Sequence, residues 1–253
     1  MIREWVHLAA LIAILPSLVV AGCTERDAKP DGTPQSEAVD APRIDIIGTA
    51  KKIYSQFDEE IVIRDFFQDR RDGFFLDVGC SLPRKNSTTF YLEERLGWKG
   101  IGVDALPGYA PLWAKVRPNS KFLNFLVIDE VKEQHTFYGA DWPGVSSVHK
   151  QQVEKMVGDR YDEIQVPSIT IDKLLEAAEV EKIDFLSMDI EGAQMQALAG
   201  FDINRWKPDL VCIEAYVPDR PEMLAWFADR GYERLDQYLK TDHINWYFAP
   251  KEG

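Results

Sequence analysis

The chain has 253 residues, 45% of them hydrophobic and 11% aromatic, which is material for one or two domains with a sizeable core. Its 42 acidic residues outnumber 29 basic ones for a net charge of −13, and no Lys/Arg run exceeds two residues, which argues against nucleic acid as a partner. The three cysteines, Cys23, Cys80 and Cys212, form no CxxC pair, so no structural zinc or other metal is expected.

Arg3 precedes an apolar stretch from Val6 to Val20, broken by His7, Pro16 and Ser17, that leads into Ala21-Gly22-Cys23. A positive start, an apolar middle and small residues are the layout of a secretory signal. Ala-Gly-Cys is also similar to a bacterial lipobox, in which Cys23 would carry lipid. An uncleaved anchor is the alternative, short for a span. Residues 1–23 are therefore expected to associate the protein with a membrane, on a side that the flanking charges leave open. Residues 24–43, rich in Pro, Asp, Glu, Ser and Thr, read as a disordered tether, and the globular domain is expected over 44–253.

Ser55-x-x-Asp58 reads as a capping-box-like start for a helix whose face carries Ile61, Val62, Ile63, Phe66 and Phe67. Gly73 to Cys80 follows as a short apolar run ending in Asp77-Val78-Gly79, the pattern of a strand buried on both faces. Asn86-Ser87 is expected to cap a helix through Phe90, Leu92 and Leu96, stopped by Gly97. A second strand, Gly100 to Asp104, and a third, Phe122 to Ile128 with Asp129 at its end, come next. Gln134 to Tyr138 is a candidate extra strand, and Asp141 to Asp162 reads as irregular, with a turn at Trp142-Pro143-Gly144 and a polar helical stretch. A helix over Ile169–Ala178, a fourth strand Ile183–Asp189, a helix Ala193–Ala199 and a fifth strand Asp209–Ala215 complete the alternation. Asp219-x-x-Glu222 opens a last helix, and Tyr232–Leu239 with Ile244–Phe248 read as an antiparallel pair. The fold class expected is α/β: a doubly wound, Rossmann-like, mostly parallel seven-stranded sheet with a C-terminal antiparallel hairpin. Cys80 and Cys212 fall on strands that are not neighbours, so both are expected as buried free thiols.

Four strand ends carry acids: Asp77, Asp104, Asp129 and Asp189. Open α/β sheets bind ligands outside the carboxyl ends of their strands, and acids gathered there suit a ligand with hydroxyls and a cationic centre. A nucleoside fits, and the one expected is S-adenosylmethionine. An NAD(P)-dependent oxidoreductase would want G-x-G-x-x-G after the first strand, where this chain has only Gly79.

The chain resembles the FkbM-type, S-adenosylmethionine-dependent methyltransferases of the class I methyltransferase fold. The matching segments are Phe74 to Gly79, Asn86-Ser87-Thr88-Thr89 to Glu93, Leu96-Gly97-Trp98-Lys99-Gly100 leading to Asp104-Ala105-Leu106-Pro107, Ser168 to Leu174, and Ile183 to Ala193. The resemblance implies that Asp77, Gly79, Cys80 and Ser81 line the methionine and ribose side of the cofactor. It further implies that Asp104, with Ala105 beside it, binds the ribose hydroxyls, that Leu106 borders the adenine, and that Asp129 lies near the adenine amino group. Asp189 and Glu191 would face the reacting methyl. The family usually has a small residue and then a second glycine after Asp-x-Gly, where this chain has Cys80-Ser81. For a hydroxyl acceptor on a small molecule or glycan, the candidate bases are Asp189, Glu191 and His149. Trp142 and Tyr138 are expected to border the acceptor mouth. The rival reading is a lipoprotein whose methyltransferase-like domain binds without catalysing, motivated by the export-like leader. Oligomeric state has no signal in the sequence.

Overall fold

A computed structural model describes residues 43–142 and 144–252. The leader with Cys23, the tether except Arg43, and Pro143 of the expected turn lie outside the described residues. Among those described, no helix is long and apolar enough to cross a membrane.

Within the unit that begins at Asp45, the chain opens with a single helical turn, α1 (Ile46–Thr49), and then α2 (Glu59–Phe67). Asp58 stands at the N-cap of α2 without a side-chain bond. The start is held instead from Ser55, whose Oγ accepts the Glu60 N–H at 3.3 Å, while the Glu60 carboxylate accepts the Tyr54 N–H at 2.9 Å. The acid that answers Ser55 is therefore Glu60, not the Asp58 that the sequence spacing suggests.

The central strand β1 (Phe74–Val78) is followed by α3 (Phe90–Leu96) and β2 (Lys99–Asp104). Gly97 ends α3 in the left-handed conformation, as its position in the sequence predicts. The cap residue of α3 is Thr89 rather than Asn86 or Ser87, and it makes no side-chain cap bond because its hydroxyl is engaged elsewhere. A helix without a counterpart in the sequence reading, α4 (Ala110–Val116), returns the chain to β3 (Ser120–Asn124).

The expected third strand, Phe122–Ile128, is two strands. The chain leaves the main sheet at Phe125 and continues as β4 (Leu126–Val127) in a second, three-stranded sheet with β5 (Lys132–Ala140) and β6 (Tyr161–Ile169). Between them, α5 (Lys150–Val157) packs Val153 and Val157 on Val145, Tyr138 and Tyr161.

Helix α6 (Ile171–Ala177) has Thr170 as its N-cap, whose hydroxyl accepts the Lys173 N–H at 3.2 Å. Then come β7 (Phe185–Met188), α7 (Gln194–Ala199), α8 (Ile203–Trp206), β8 (Leu210–Glu214), α9 (Arg220–Ala228), β9 (Tyr232–Arg234) and β10 (Asn245–Pro250).

The main sheet runs β3-β2-β1-β7-β8-β10-β9. Pairings from β3 to β8 are parallel, while β10 is antiparallel to both β8 and β9. The hairpin therefore folds back so that its second strand fits inside the sheet. This is the class I methyltransferase fold.

One core layer packs α2 and α3 on the sheet through Val62, Ile63, Phe67, Leu92, Phe75 and Phe185. Each side chain of this size contributes about 1.5–3 kcal/mol when removed from water. The two glycines of β2 belong to this packing: a Cβ on Gly100 would stand 2.4 Å from the Phe75 ring, and one on Gly102 2.4 Å from Trp113. Cys80 and Cys212 are both buried and free.

Candidate active site

The strand order reverses between β1 and β7, and there the carboxyl ends of the parallel strands open on a cleft. The cleft encloses about 1130 Å³ of space not filled by protein atoms, its open mouth included. Asp77, Gly79, Cys80, Ser81, Asp104, Ala105, Leu106, Asp189 and Glu191 all line it.

The floor is the turn after β1. Gly79 has φ +81°, and a Cβ there would lie 1.8 Å from the Asp189 carbonyl oxygen. Glycine is thus needed chiefly so that the ends of β1 and β7 can close on each other, and only secondarily for the approach of a ligand. Ser81, where the family usually has its second glycine, adopts a left-handed φ of 45°. Its N–H donates to Asp104 Oδ2 at 3.0 Å and its carbonyl accepts the Trp113 Nε1–H at 2.8 Å. Those bonds hold a conformation that costs an L-residue about 1–2 kcal/mol.

Asp104 Oδ1 accepts the Leu106 N–H at 2.8 Å, so each carboxylate oxygen takes one backbone donor and retains a lone pair. Burial pushes its pKa up to about 6, against the pull of those two N–H groups. Asp77 is 4% exposed, and its Oδ2 accepts the Thr89 hydroxyl at 2.7 Å. Burial raises it to about 6 as well, opposed by Thr89 and by the charge of Arg117.

Behind Asp77 lies a residue the sequence reading missed. Arg117, 1% exposed, donates to Glu93 through Nε, to the Pro83 carbonyl at 3.1 Å, to Ser87 Oγ at 3.3 Å and to Thr89 Oγ1 at 3.1 Å. Its guanidinium also sits 4.4 Å from the Trp113 ring centre. The Ser87, Thr89 and Glu93 of the family-like segment thus share one cation, and through Thr89 they fix Asp77. The sequence carried one signal of it: Glu93 stands three residues from Phe90 and from Leu96, on the face that packs inward.

Opposite, Asp189 extends from β7 and Glu214 ends the neighbouring β8. The Glu214 side chain hydrogen-bonds Asp189, and its Oε2 accepts Gln194 Nε2–H at 2.7 Å. Gln194 is fully buried, and its Oε1 has no hydrogen-bond partner among the described residues. Asp189 keeps surface open to the cleft, yet it loses enough water to be pushed well above the usual carboxylate range, with Glu214 and Glu191 adding like charge. Glu191 is raised to about 7, by burial first and then by Glu214. It sits in a tight turn at φ +51°, fastened by Ser147 Oγ–H on its carbonyl at 2.8 Å. Glu59, from α2, also lines the cleft and is raised to about 7, chiefly by burial. Among the described residues, Asp104, Asp189 and Glu191 form no ion pair with a Lys or Arg.

Three expected residues stand elsewhere. Asp129 is exposed and does not line the cleft, because the chain has already crossed to the small sheet at Phe125. The edge it was expected to occupy is formed by Phe125, Leu126 and Val127, while Asn124 Nδ2–H donates to the carbonyls of Asp104 and Ala105 at 2.8 Å. His149 is the N-cap of α5, half-buried outside the cleft lining and close enough to Asp219 to favour its charged form. Tyr138 turns toward Tyr161 and α5; its neighbour Phe137 lines the cleft. Trp142 is 64% exposed in the loop whose Gly144, Ser146 and Val148 form the cleft wall.

The residues fit S-adenosylmethionine. Asp104 offers paired lone pairs for a ribose diol, the Phe125–Val127 and Leu106 edge is apolar, and the carboxylates of Asp189 and Glu191 suit a sulfonium and an ammonium. Among the described residues no group of three or more His, Cys, Asp or Glu is arranged to hold a metal ion.

No curated protein matches the chain. Among solved structures it is similar to a TehB-like SAM-dependent methyltransferase from Corynebacterium glutamicum (15% identity over 81% of this chain and 92% of that one, TM-score 0.43). It is likewise similar to a precorrin-6y C5,15-methyltransferase from Geobacter metallireducens (11%, 81% and 93%, TM-score 0.42). A third is a SAM-dependent methyltransferase from Thiobacillus denitrificans in complex with S-adenosyl-L-homocysteine (14%, 81% and 79%, TM-score 0.36). These likenesses are distant, and the family rests on the sequence itself. Residues 77–234, more than half the chain, match the model of the methyltransferase FkbM domain: the chain belongs to the S-adenosylmethionine-dependent FkbM methyltransferases.

Proposed function

We propose that the protein methylates a hydroxyl oxygen of a small molecule or glycan in this cleft. The observation that carries the reading is the carboxyl cluster of Asp189, Glu191 and Glu214 beside the cofactor-holding turn, with Glu191 raised to about 7. A base serves best when its pKa lies near the working pH, and Glu191 meets that condition.

S-Adenosylmethionine, when bound, supplies a methyl already activated on a sulfonium sulfur. What remains for the chain is placement, the removal of water and one proton. Asp104 and the Ser81 and Leu106 N–H groups form the ribose end. Asp77, held by Thr89 and Arg117, supplies negative charge on the methionine side. Glu191 is placed to take the acceptor's hydroxyl proton on a carboxylate oxygen, and the Asp189–Glu214 pair holds negative charge next to it. The loop with Trp142 supplies an apolar rim for the acceptor.

Isothermal titration with S-adenosylmethionine, followed by transfer of isotopically labelled methyl to a panel of hydroxyl compounds, tests the reading. Glu191→Gln is expected to lower kcat 10²–10⁴-fold with cofactor affinity little changed. Absence of cofactor binding would favour the non-catalytic module, and label on nitrogen would overturn the oxygen assignment. Residues 1–23 are proposed to hold the protein at a membrane; a Cys23→Ser variant that stays membrane-bound and unprocessed would count against lipidation.

A further inference from the structure

The mouth of the cleft carries a surface unlike the rest of this acidic protein. Lys51, Lys52 and Ile53 are exposed in a row just after α1, with Ile53 at 56% and Phe57 at 37%. Ile47, on α1, is 41% exposed. A bridge between Ser55 and Asn86 sets this segment beside the loop that carries Arg84 and Lys85, both exposed. The Arg84 guanidinium is 5.5 Å from the Tyr54 ring centre, which fixes it over the same segment. Gln56, Lys85, Asn86 and Thr88 line the cleft itself, so the patch is continuous with its rim. The Tyr54 N–H donates to the Glu60 carboxylate and the Glu60 N–H to Ser55 Oγ, which holds the backbone while Ile53 and Phe57 stay exposed. Acids beside the patch are engaged by backbone: Asp45 accepts the Gly48 N–H, Glu59 the Phe57 N–H, and Glu60 the Ile53 and Tyr54 N–H groups, while Lys52 Nζ donates to the Gln56 carbonyl at 2.7 Å.

Four basic residues and three apolar ones gathered on one face of a chain with net charge −13 call for an occupant that is both anionic and apolar. The residues that precede the patch include the apolar run Val6–Val20, joined to it by a short polar stretch. The geometry points to an anionic lipid bilayer: the patch rests in the headgroup layer and turns the mouth of the cleft toward it. The acceptor would then be an amphiphile whose hydroxyl stands at the bilayer surface. That last clause rests on the methyltransferase reading, whereas the docking does not. Each Lys or Arg near such a surface strengthens the contact about fivefold, roughly 600-fold for the four.

The test uses the full chain reconstituted in vesicles of phosphatidylcholine, with and without phosphatidylglycerol, and follows amide hydrogen exchange. Exchange across 47–57 and 84–86 is expected to slow at least tenfold on the anionic vesicles and little on the neutral ones. Lys51→Glu with Lys52→Glu is expected to abolish the slowing while leaving S-adenosylmethionine affinity within twofold, which also certifies the fold. Equal slowing on both vesicles, or no slowing on either, overturns the proposal. Slowing that grows with protein concentration without vesicles also overturns it, and assigns the face to a second copy of the chain. Failure of S-adenosylmethionine to bind the same sample would sink the enzyme reading and leave the exchange result standing.

Discussion

Raising the pH from 5 to 8 is expected to destabilise the cofactor-free protein, and Asp77 accounts for a measurable share. An ordinary aspartate titrates near 3.9. In the fold Asp77 and Asp104 are each raised to about 6, mainly because burial penalises the charge. The folded state therefore holds protons that the unfolded state has lost, so the contribution is full below about 4 and disappears as the pH rises through about 6. Two units on each group correspond to about 3 kcal/mol apiece; halved for relaxation around the charge, the pair contributes about 3 kcal/mol together. The loss begins near pH 4, so about half of it, roughly 1.5 kcal/mol, falls between pH 5 and pH 8, which for a domain of this size lowers Tm by about 3–6 °C. Glu59 and Glu191, raised to about 7, extend the same trend upward. Asp77→Asn keeps an oxygen to accept the Thr89 hydroxyl and removes the charge, so it should flatten the profile and exceed the native protein by about 1–2 kcal/mol at pH 8. Differential scanning fluorimetry across the pH range reads both effects. A native Tm that is flat or rising from pH 5 to 8, or an Asp77→Asn variant equally weakened at both ends, would refute the reasoning.

Gly79→Ala should abolish cofactor binding and cost more than about 3 kcal/mol in urea unfolding, since its methyl group falls on the Asp189 backbone and its φ is positive. Arg117→Met leaves Glu93 buried without a cation and should cost about 3–5 kcal/mol, whereas Arg117→Met with Glu93→Leu should recover most of that in a double-mutant cycle. Ser81→Gly relieves the left-handed strain and should raise the unfolding free energy in a urea titration by up to about 1 kcal/mol, with S-adenosylmethionine affinity retained; Ser81→Val should lose about as much.

What could be read from the sequence follows from how strongly each residue's surroundings are local. The strands β1, β2, β7 and β8 are short apolar runs bounded by acids and glycines, and a strand buried on both faces leaves that signature whatever surrounds it. That Asp77, Asp104 and Asp189 come together at one sheet edge was legible for the same reason, because they close those runs, whereas Glu191 came only with the family resemblance. The small sheet was not, because β6 alternates exposed Asp162, Glu163 and Gln165 with half-buried residues and so offers no apolar run. Its partner β4 continues without a break from β3 in sequence, and only the crossing at Phe125, a tertiary event, separates them. That crossing is why Asp129 is misplaced by a linear reading. Arg117 lies in a polar stretch, and nothing nearby announces that four groups from 83–93 close around it.

The crossing at Phe125 has a mechanical consequence. Leu126 and Val127 form part of the cleft wall, yet they are stitched to β6, and β6 is stitched to β5, whose end meets the Ser147 loop. One small plank of structure thus runs from one wall of the cleft to the loop at another. Neither wall can tilt alone, and whatever settles against one edge adjusts the gap offered to the molecule at the other.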